Sequence, residues 1–233
     1  MNLYIVTGTS RGLGEALAKR IAADADNELI ALARPEVDLA DTRAIARAFD
    51  RVESRIAGRR YEKAVLINNA GIIEPVAPLE RADADDIERN IVVNLVAPMV
   101  LMRRFLAATA HVPLRRVINI SSGAGRRPFF GWAAYCAAKA GLDMATRVVA
   151  LEAEARGLAI EAVSLAPGVI DTGMQGTVRG AAAEDFADVE RFRQMKAEGV
   201  LREADDVAAD ILLAERDGRL KGDAVLDLRA LPQ

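Results

Sequence analysis

A chain of 233 residues that is 52% apolar is long enough to bury a sizeable core, and no linker, repeat or low-complexity run divides it. Its net charge of −3, with acids and bases interspersed, gives no electrostatic case for nucleic acid or an anionic membrane, and no apolar run reaches the length of a bilayer span. The single cysteine, Cys136, cannot close an intrachain disulfide, and the single histidine, His111, cannot supply a histidine metal cluster. A reducing, cytoplasmic setting without a metal centre is therefore expected. The N-terminal MNLYIVTG has no basic stretch ahead of an apolar one, so no signal peptide is expected either.

Leu3-Tyr4-Ile5-Val6 is a short apolar run and predicts a buried strand. It feeds into Thr7-Gly8-Thr9-Ser10-Arg11-Gly12-Leu13-Gly14, after which Leu13, Ala16, Leu17 and Ile21 recur at helical spacing. Strand, glycine-rich turn and helix together suit a phosphate. Glycines let the backbone approach a pyrophosphate, and the helix N-terminus offers free N–H groups and a positive dipole end. Gly8, Ser10, Arg11, Gly12, Leu13 and Gly14 are accordingly candidate cofactor contacts.

Glu28–Ala33 predicts the second strand. It ends at Ala33-Arg34, without the acidic residue that would hold the ribose 2′-hydroxyl of NAD. Arg34 and Arg11 are instead candidate clamps for the 2′-phosphate of NADP(H), the alternative being two solvated arginines. Only Pro35-Glu36 separates this strand from Val37-Asp38-Leu39, so there is no room for a full crossover helix and the unit is trimmed. Asp38 and Leu39 are counted among the candidate cofactor contacts.

Asp41–Ile56 places Ile45, Ala48, Phe49, Val52 and Ile56 on one face of an amphipathic helix. Ala64–Ile67 predicts a strand running into Asn68-Asn69-Ala70-Gly71. Ligands of open α/β sheets bind at such strand ends, which makes Asn69, Ala70 and Gly71 candidates. Asp83–Ala110 reads as helical with an interruption at Pro98. Asn94, inside IVVNLVAPMV, is a buried amide that needs partners, whether as a core residue or as a functional one.

Arg116–Ile120 predicts a strand leading to Ser121 and Ser122. The helix that follows, Ala133–Ala155, carries Tyr135 and Lys139 one turn apart on one face. A free tyrosine has a pKa of about 10, and a cation beside it favours the phenolate, which makes the phenol usable in acid–base work. Alone, such a pair equally describes a surface helix with a snorkelling lysine. Ile160–Leu165 predicts another strand, ending in Ala166-Pro167-Gly168-Val169-Ile170-Asp171-Thr172. The segment 176–199 is polar and Ala-rich, a candidate lid or a surface excursion. Val207, Ile211 and Leu212 mark a helix, and Ala224–Leu228 a last strand. Strands alternating with helices predict an α/β fold: a Rossmann-type doubly wound parallel sheet with helices on both faces, in a single domain.

With these motifs aligned, the sequence resembles the short-chain dehydrogenase/reductase family across essentially its whole length. The matching residues are Thr7-Gly8, Gly12 and Gly14; Asn68-Asn69-Ala70-Gly71; Asn94; Ser122; Tyr135 with Lys139; and Pro167-Gly168 followed by Thr172. The stretches SSGAG, GWAAYCAAKAG and APGVIDTGMQ are similar to the sepiapterin reductase-like branch, and within it to bacterial benzil reductases. The resemblance implies an NADPH-dependent carbonyl reductase in which Tyr135 is the general acid. Lys139 would lower the Tyr135 pKa and hold the nicotinamide ribose. Ser122, thirteen residues before Tyr135 and so preferred to Ser121, would hydrogen-bond the carbonyl oxygen. Asn94 would hold a water linking Lys139 to solvent, and Val169 and Thr172 would fix the carboxamide alongside Pro167 and Gly168. It also implies a homodimer or homotetramer built on the two long helices.

The small-molecule carbonyl substrate is read as a flat vicinal dicarbonyl. Phe129-Phe130-Gly131-Trp132 leads into the catalytic helix, so Trp132 offers an aromatic wall, unless these rings only pack the core. Met174 and Asp227 are further candidate substrate contacts, Asp227 for the amino groups of a pterin if it faces the pocket. The competing function is a regulator that senses NADP(H) without turnover. The presence of both Tyr135 and Lys139 argues against it, and equally against a methyltransferase.

Overall fold

The structure, a computed structural model, describes residues 1–231. Its centre is one sheet of six parallel strands: β1 (Asn2–Thr7), β2 (Asn27–Leu32), β3 (Lys63–Asn68), β4 (Leu114–Ile120), β5 (Ile160–Ala166) and β6 (Val225–Asp227). The spatial order is β2-β1-β3-β4-β5-β6. Helices α1 (Gly12–Ala22), α2 (Thr42–Ile56), α3 (Ala84–Ile91), α4 (Ala97–Ala108), α5 (Ala133–Ala155), α6 (Gly173–Gly180), α7 (Val189–Ala197) and α8 (Ala204–Arg216) connect and cover the strands. This is the doubly wound α/β fold the sequence predicts.

The pleat explains why the strands read as unbroken apolar runs. In β1, Leu3 and Ile5 enter the core that α2 and α4 complete through Phe49, Leu101 and Phe105. Tyr4 and Val6 enter the opposite core, closed by α1 and α8 through Leu17, Ile21, Val207 and Ile211. With both faces covered, successive side chains are all apolar. Strand order reverses between β1 and β3, and a crevice at that point is where open α/β sheets hold ligands.

The trimmed unit has a definite shape. Val37 and Leu39 form no strand. They turn inward and join the core beside Ile45 and Phe49 of α2, so among the described residues β2 is the sheet edge.

The long helical stretch departs from expectation twice. It breaks before Pro98 rather than at it: Val92–Val96 is a turn of π-helix, closed by the Ala97 N–H donating to the Val92 carbonyl. Pro98 has no N–H to close an α-helical bond to the carbonyl of Asn94, four residues earlier, which favours the wider turn there. Second, Ala84–Ala108 is long and apolar enough, by length and composition, to cross a bilayer. That corrects the expectation that no such run exists. The apolar content arises because Ala97, Leu101, Met102 and Phe105 face the sheet.

Candidate active site

The C-terminal ends of the strands open on a cleft of about 400 Å³. At one end lies the glycine turn. Thr7 Oγ1 accepts from the N–H groups of Asn69 and Ala70, both at 3.0 Å, and Asn69 Nδ2 donates back to the Thr7 and Gly8 carbonyls at 3.0 and 3.3 Å. These bonds tie the ends of β1 and β3 across the crevice. Gly14 sits so close that a Cβ there would lie 2.1 Å from the Gly8 carbonyl oxygen. Only glycine permits that approach of helix to turn. The predicted contacts from Gly8 to Gly14, with Arg34, Asp38, Leu39, Asn69, Ala70 and Gly71, all line this part of the cleft, as do Pro167, Gly168, Val169 and Thr172 opposite.

Tyr135 and Lys139 lie at the floor, both nearly fully buried. Lys139 Nζ is 5.7 Å from the centre of the Tyr135 ring and donates to the Ile120 carbonyl at 2.8 Å. The sequence predicts that the lysine lowers the phenol pKa. In the structure burial dominates instead and pushes Tyr135 up to about 12, with a hydrogen bond from Ser122 pulling the other way. Burial likewise brings Lys139 down to about 8, opposed by the Asp143 carboxylate. Apolar surroundings penalise each charged form.

Both serines line the cleft, but the Ser121 hydroxyl is committed: its Oγ donates to Asp143 at 2.6 Å. Ser122 stays beside the phenol, its Oγ accepting from the Ala124 N–H at 3.2 Å. Asn94 does not line the cleft; it stands behind it. Its amide clamps the segment after the Asn69-Ala70-Gly71 turn, with Nδ2 donating to the Ile72 carbonyl at 2.8 Å and Oδ1 accepting from the Ile72 N–H at 3.2 Å. Gly71 lies between the two: a Cβ there would stand 2.8 Å from Asn94 Oδ1 and 3.7 Å from Lys139 Nζ.

The other end of the cleft is aromatic. Trp132 stacks on Phe186 with centroids 4.6 Å apart, and lies 4.9 Å from Phe129, 5.7 Å from Phe192 and 5.8 Å, edge-on, from Tyr135. Phe186 and Phe192 come from the segment 176–199, which contributes part of α6 and all of α7. That segment packs a cap over Trp132, with Val178, Phe186, Val189 and Phe192 buried. Met174 lines the cleft beside it. Trp132 Nε1 and Gln175 Oε1 are buried without a hydrogen-bond partner among the described residues.

Asp227 is the residue the structure places elsewhere. It does not line the cleft. Its carboxylate accepts from Arg229 Nε and Nη2 at 2.9 and 2.6 Å, and that guanidinium holds it below the usual carboxylate range. Arg229 lines the cleft in its stead, beside Gly168. Sequence reasoning also passed over Arg89, Arg127, Arg191 and Phe192, all cleft-lining, and Asp143 below it. Asp143 carried a usable signal, one helical turn after Lys139; the arginines carried none.

The chain matches the short chain dehydrogenase family over residues 2–183. It is 37% identical over 235 residues to the benzil reductase ((S)-benzoin forming) of Bacillus subtilis strain 168, covering 95% of this chain and 96% of that protein. It is 39% identical over 230 residues to the protein of the same name from Bacillus cereus, covering 91% and 92%. The sepiapterin reductase of Rattus norvegicus is 29% identical, with 91% of each chain covered. Among solved structures, the KRED1-Pglu enzyme superimposes with a TM-score of 0.79 at 29% identity, over 92% of this chain and 94% of that one. Similarity of that extent and depth shows that the chain belongs to the short-chain dehydrogenase family of oxidoreductases, which use nicotinamide cofactors.

Proposed function

We propose that the protein is an NADPH-dependent carbonyl reductase acting on an aryl-bearing vicinal dicarbonyl. The observation that carries the proposal is a phenol, Tyr135, set between the Ser122 hydroxyl and the edge of the Trp132 ring at the floor of an otherwise apolar wall. Trp132 is itself buried among Phe129, Phe186 and Phe192, and a conjugated ketone set against the part of this cluster that lines the cleft presents its oxygen to both hydroxyls. The names of the bacterial relatives, benzil reductases, support the same substrate class.

The cleft fits a dinucleotide. The turn is packed too tightly for any residue but glycine at 14, and Arg11 and Arg34 line the cleft without an ion pair among the described residues. The turn and the α1 N-terminus would hold the pyrophosphate, Arg34 with Arg11 the 2′-phosphate, and Val169 with Thr172 the carboxamide. Reduced nicotinamide supplies a hydride to a carbonyl carbon.

The protein's part is proton and charge. Tyr135, raised to about 12, holds its proton at neutral pH and is ready to give it to the substrate oxygen. Ser122 donates to the same oxygen as negative charge gathers on it. Lys139, at about 8, is largely protonated at neutral pH and lends a positive field to the phenolate that donation leaves. Asn94 fixes the Ile72 segment that closes this floor; the resemblance also gives it a water beside Lys139.

NADPH oxidation in the presence of benzil, a small aliphatic α-diketone and sepiapterin tests the reading, in wild type and Tyr135→Phe. Loss of the phenolic proton should cost at least about a hundredfold in kcat with NADPH binding retained. A wild type inert towards all three, or a Tyr135→Phe variant that keeps more than about a tenth of wild-type kcat, would sink it.

Met144, Val148 and Leu151 expose an apolar stripe on α5, and Met99 is exposed on α4. The stripe supports a homodimer or homotetramer assembled through these helices. A monomer in sedimentation equilibrium would remove that part of the proposal.

A further inference from the structure

Seven cationic side chains line the cleft against a single carboxylate, Asp38, among the described residues. This occurs in a chain whose net charge is −3. A walled cleft of one sign concentrates field and draws in ligands of the other. Four of the seven have work already. Arg11 and Arg34 stand at the glycine-turn end, Lys139 lies under Tyr135, and Arg229 is paired with Asp227. Arg89, Arg127 and Arg191 remain, and none has an ion pair among the described residues.

Arg127 stands at the aromatic end, and Arg89 on α3 and Arg191 on α7 line the cleft next in sequence to residues that pack that end. The Arg127 guanidinium lies 4.8 Å over the Phe129 ring, which in turn lies 4.9 Å from Trp132. Arg191 precedes Phe192, which closes on Trp132 at 5.7 Å. Arg89, on α3, precedes Asn90, whose Nδ2 donates to the Glu74 carbonyl at 2.6 Å and so holds the strand of chain carrying Ile73 of the wall. All three are exposed at the mouth of the cleft, and the lining there holds no carboxylate to pair with them among the described residues. Within the wall, the Trp132 N–H is a buried donor that lacks an acceptor. An unpaired donor and three unpaired guanidinium groups are complementary to an oxyanion.

We infer that among aryl vicinal dicarbonyls the site favours the ionised member, an aromatic 2-oxo acid, aryl–CO–COO⁻, over neutral diketones. The acid's ring lies on the Trp132 wall and its ketone meets Tyr135 and Ser122. Its carboxylate, which the reaction leaves unchanged, is met by Arg89, Arg127 and Arg191. This rests on the carbonyl-reductase reading above and narrows it, because such an acid is a vicinal dicarbonyl whose second carbonyl belongs to an ionised carboxyl group.

Trp132 is the chain's single tryptophan, so its fluorescence reports ligand binding without turnover. Benzoylformate and its methyl ester form a matched pair differing in one charge. At low salt the acid should bind at least about tenfold more tightly than the ester, the scale of one charge-assisted hydrogen bond. The advantage should shrink as ionic strength rises from about 0.01 to 0.15 M, since the Debye length falls from about 30 to about 8 Å. In Arg89→Gln, Arg127→Gln and Arg191→Gln the acid-to-ester ratio should fall towards one, with Arg191→Lys recovering part of it. An ester that binds as tightly as the acid, or a ratio indifferent to salt and to all three arginines, overturns the inference whatever the turnover. NADPH oxidation separates the two readings. Preferential binding of the acid, with neither it nor any diketone reduced, leaves the anion site standing and removes the reductase. Reduction of neutral diketones with no preference for the acid does the reverse.

Discussion

Replacing Lys139 by Met should make the protein more stable at neutral pH while disabling it. The lysine is buried and its pKa falls from 10.5 to about 8. That fall corresponds to roughly 3 kcal/mol of penalty on the charged form. Methionine has similar length, carries no charge and fills irregular space well. Against the relief stands one loss: the Ile120 carbonyl forfeits the donor at 2.8 Å, worth about 1 kcal/mol. The net gain at pH 7 is therefore about 2 kcal/mol. Its dependence on pH has a fixed sign. Below pH 8 folded and unfolded lysine are both protonated, and the wild type carries the full penalty. Between pH 8 and 10.5 the unfolded chain keeps a proton that the folded one has released, so wild-type stability rises with pH. Above that window the penalty is gone and the hydrogen bond remains, leaving the variant worse by about 1 kcal/mol. Urea unfolding of both proteins without nucleotide, at pH 7 and again above pH 10.5, reads the difference directly, because other titrating groups cancel. A variant less stable at pH 7, or a difference that ignores pH, would refute the reasoning.

Three more outcomes are expected. Arg34→Asp should lower the ratio of kcat/KM for NADPH over NADH at least about tenfold, and a wild type equally efficient with both cofactors would remove Arg34 from the phosphate. Gly14→Ala should destabilise by about 3 kcal/mol or more, since its Cβ would stand 2.1 Å from the Gly8 carbonyl oxygen, and nucleotide binding should go with it; near-wild-type unfolding would contradict the geometry. Trp132→Ala should cost about 3–5 kcal/mol, because Phe129, Phe186 and Phe192 all pack on the indole, and should expose the segment 176–199 to limited proteolysis.

What the sequence made legible follows from how local each signal is. The glycine turn, the asparagine turn and the Tyr135–Lys139 spacing are set within one or two turns of chain, and the fold puts them on one cleft. The segment 176–199 was legible as a candidate lid, but what anchors it was not. Phe186 and Phe192 sit in a polar, Ala-rich stretch, and only stacking on Trp132, more than fifty residues away, gives them meaning. Asp227 shows the opposite hazard. Its place at a strand end suggested a ligand contact, while its partner stood two residues on, since Arg229 accounts for both carboxylate oxygens. The arginines of the substrate end come from α3, from the segment before α5 and from α7, and nothing in one dimension brings them together. The direction of the Tyr135 pKa needed burial as well as spacing: one turn of helix supplies the cation, but the depth of the site decides which effect wins.

Depth also raises the question of what aims the phenol. Tyr135, Lys139 and Asp143 recur every four residues on one face of α5, the face turned towards the ends of β4 and β5. Each of the lower two is fixed to the sheet. Lys139 donates to the last carbonyl of β4, while Asp143 Oδ1 accepts from Ser121, just past β4, at 2.6 Å and from Ser164 of β5 at 2.5 Å. Two strands thereby grip one carboxylate, and rotation of the helix about its axis would break all three bonds together. The phenol, one and two turns above these anchors, inherits their orientation. The same carboxylate is what opposes the burial-driven fall in the Lys139 pKa. Asp143 therefore acts through Lys139 and through the helix rather than on substrate, and it explains why Ser121 is unavailable to the site while its neighbour Ser122 is not. A hydroxyl pair at a strand end can be divided in this way only if an acid waits beneath it, one turn below the lysine.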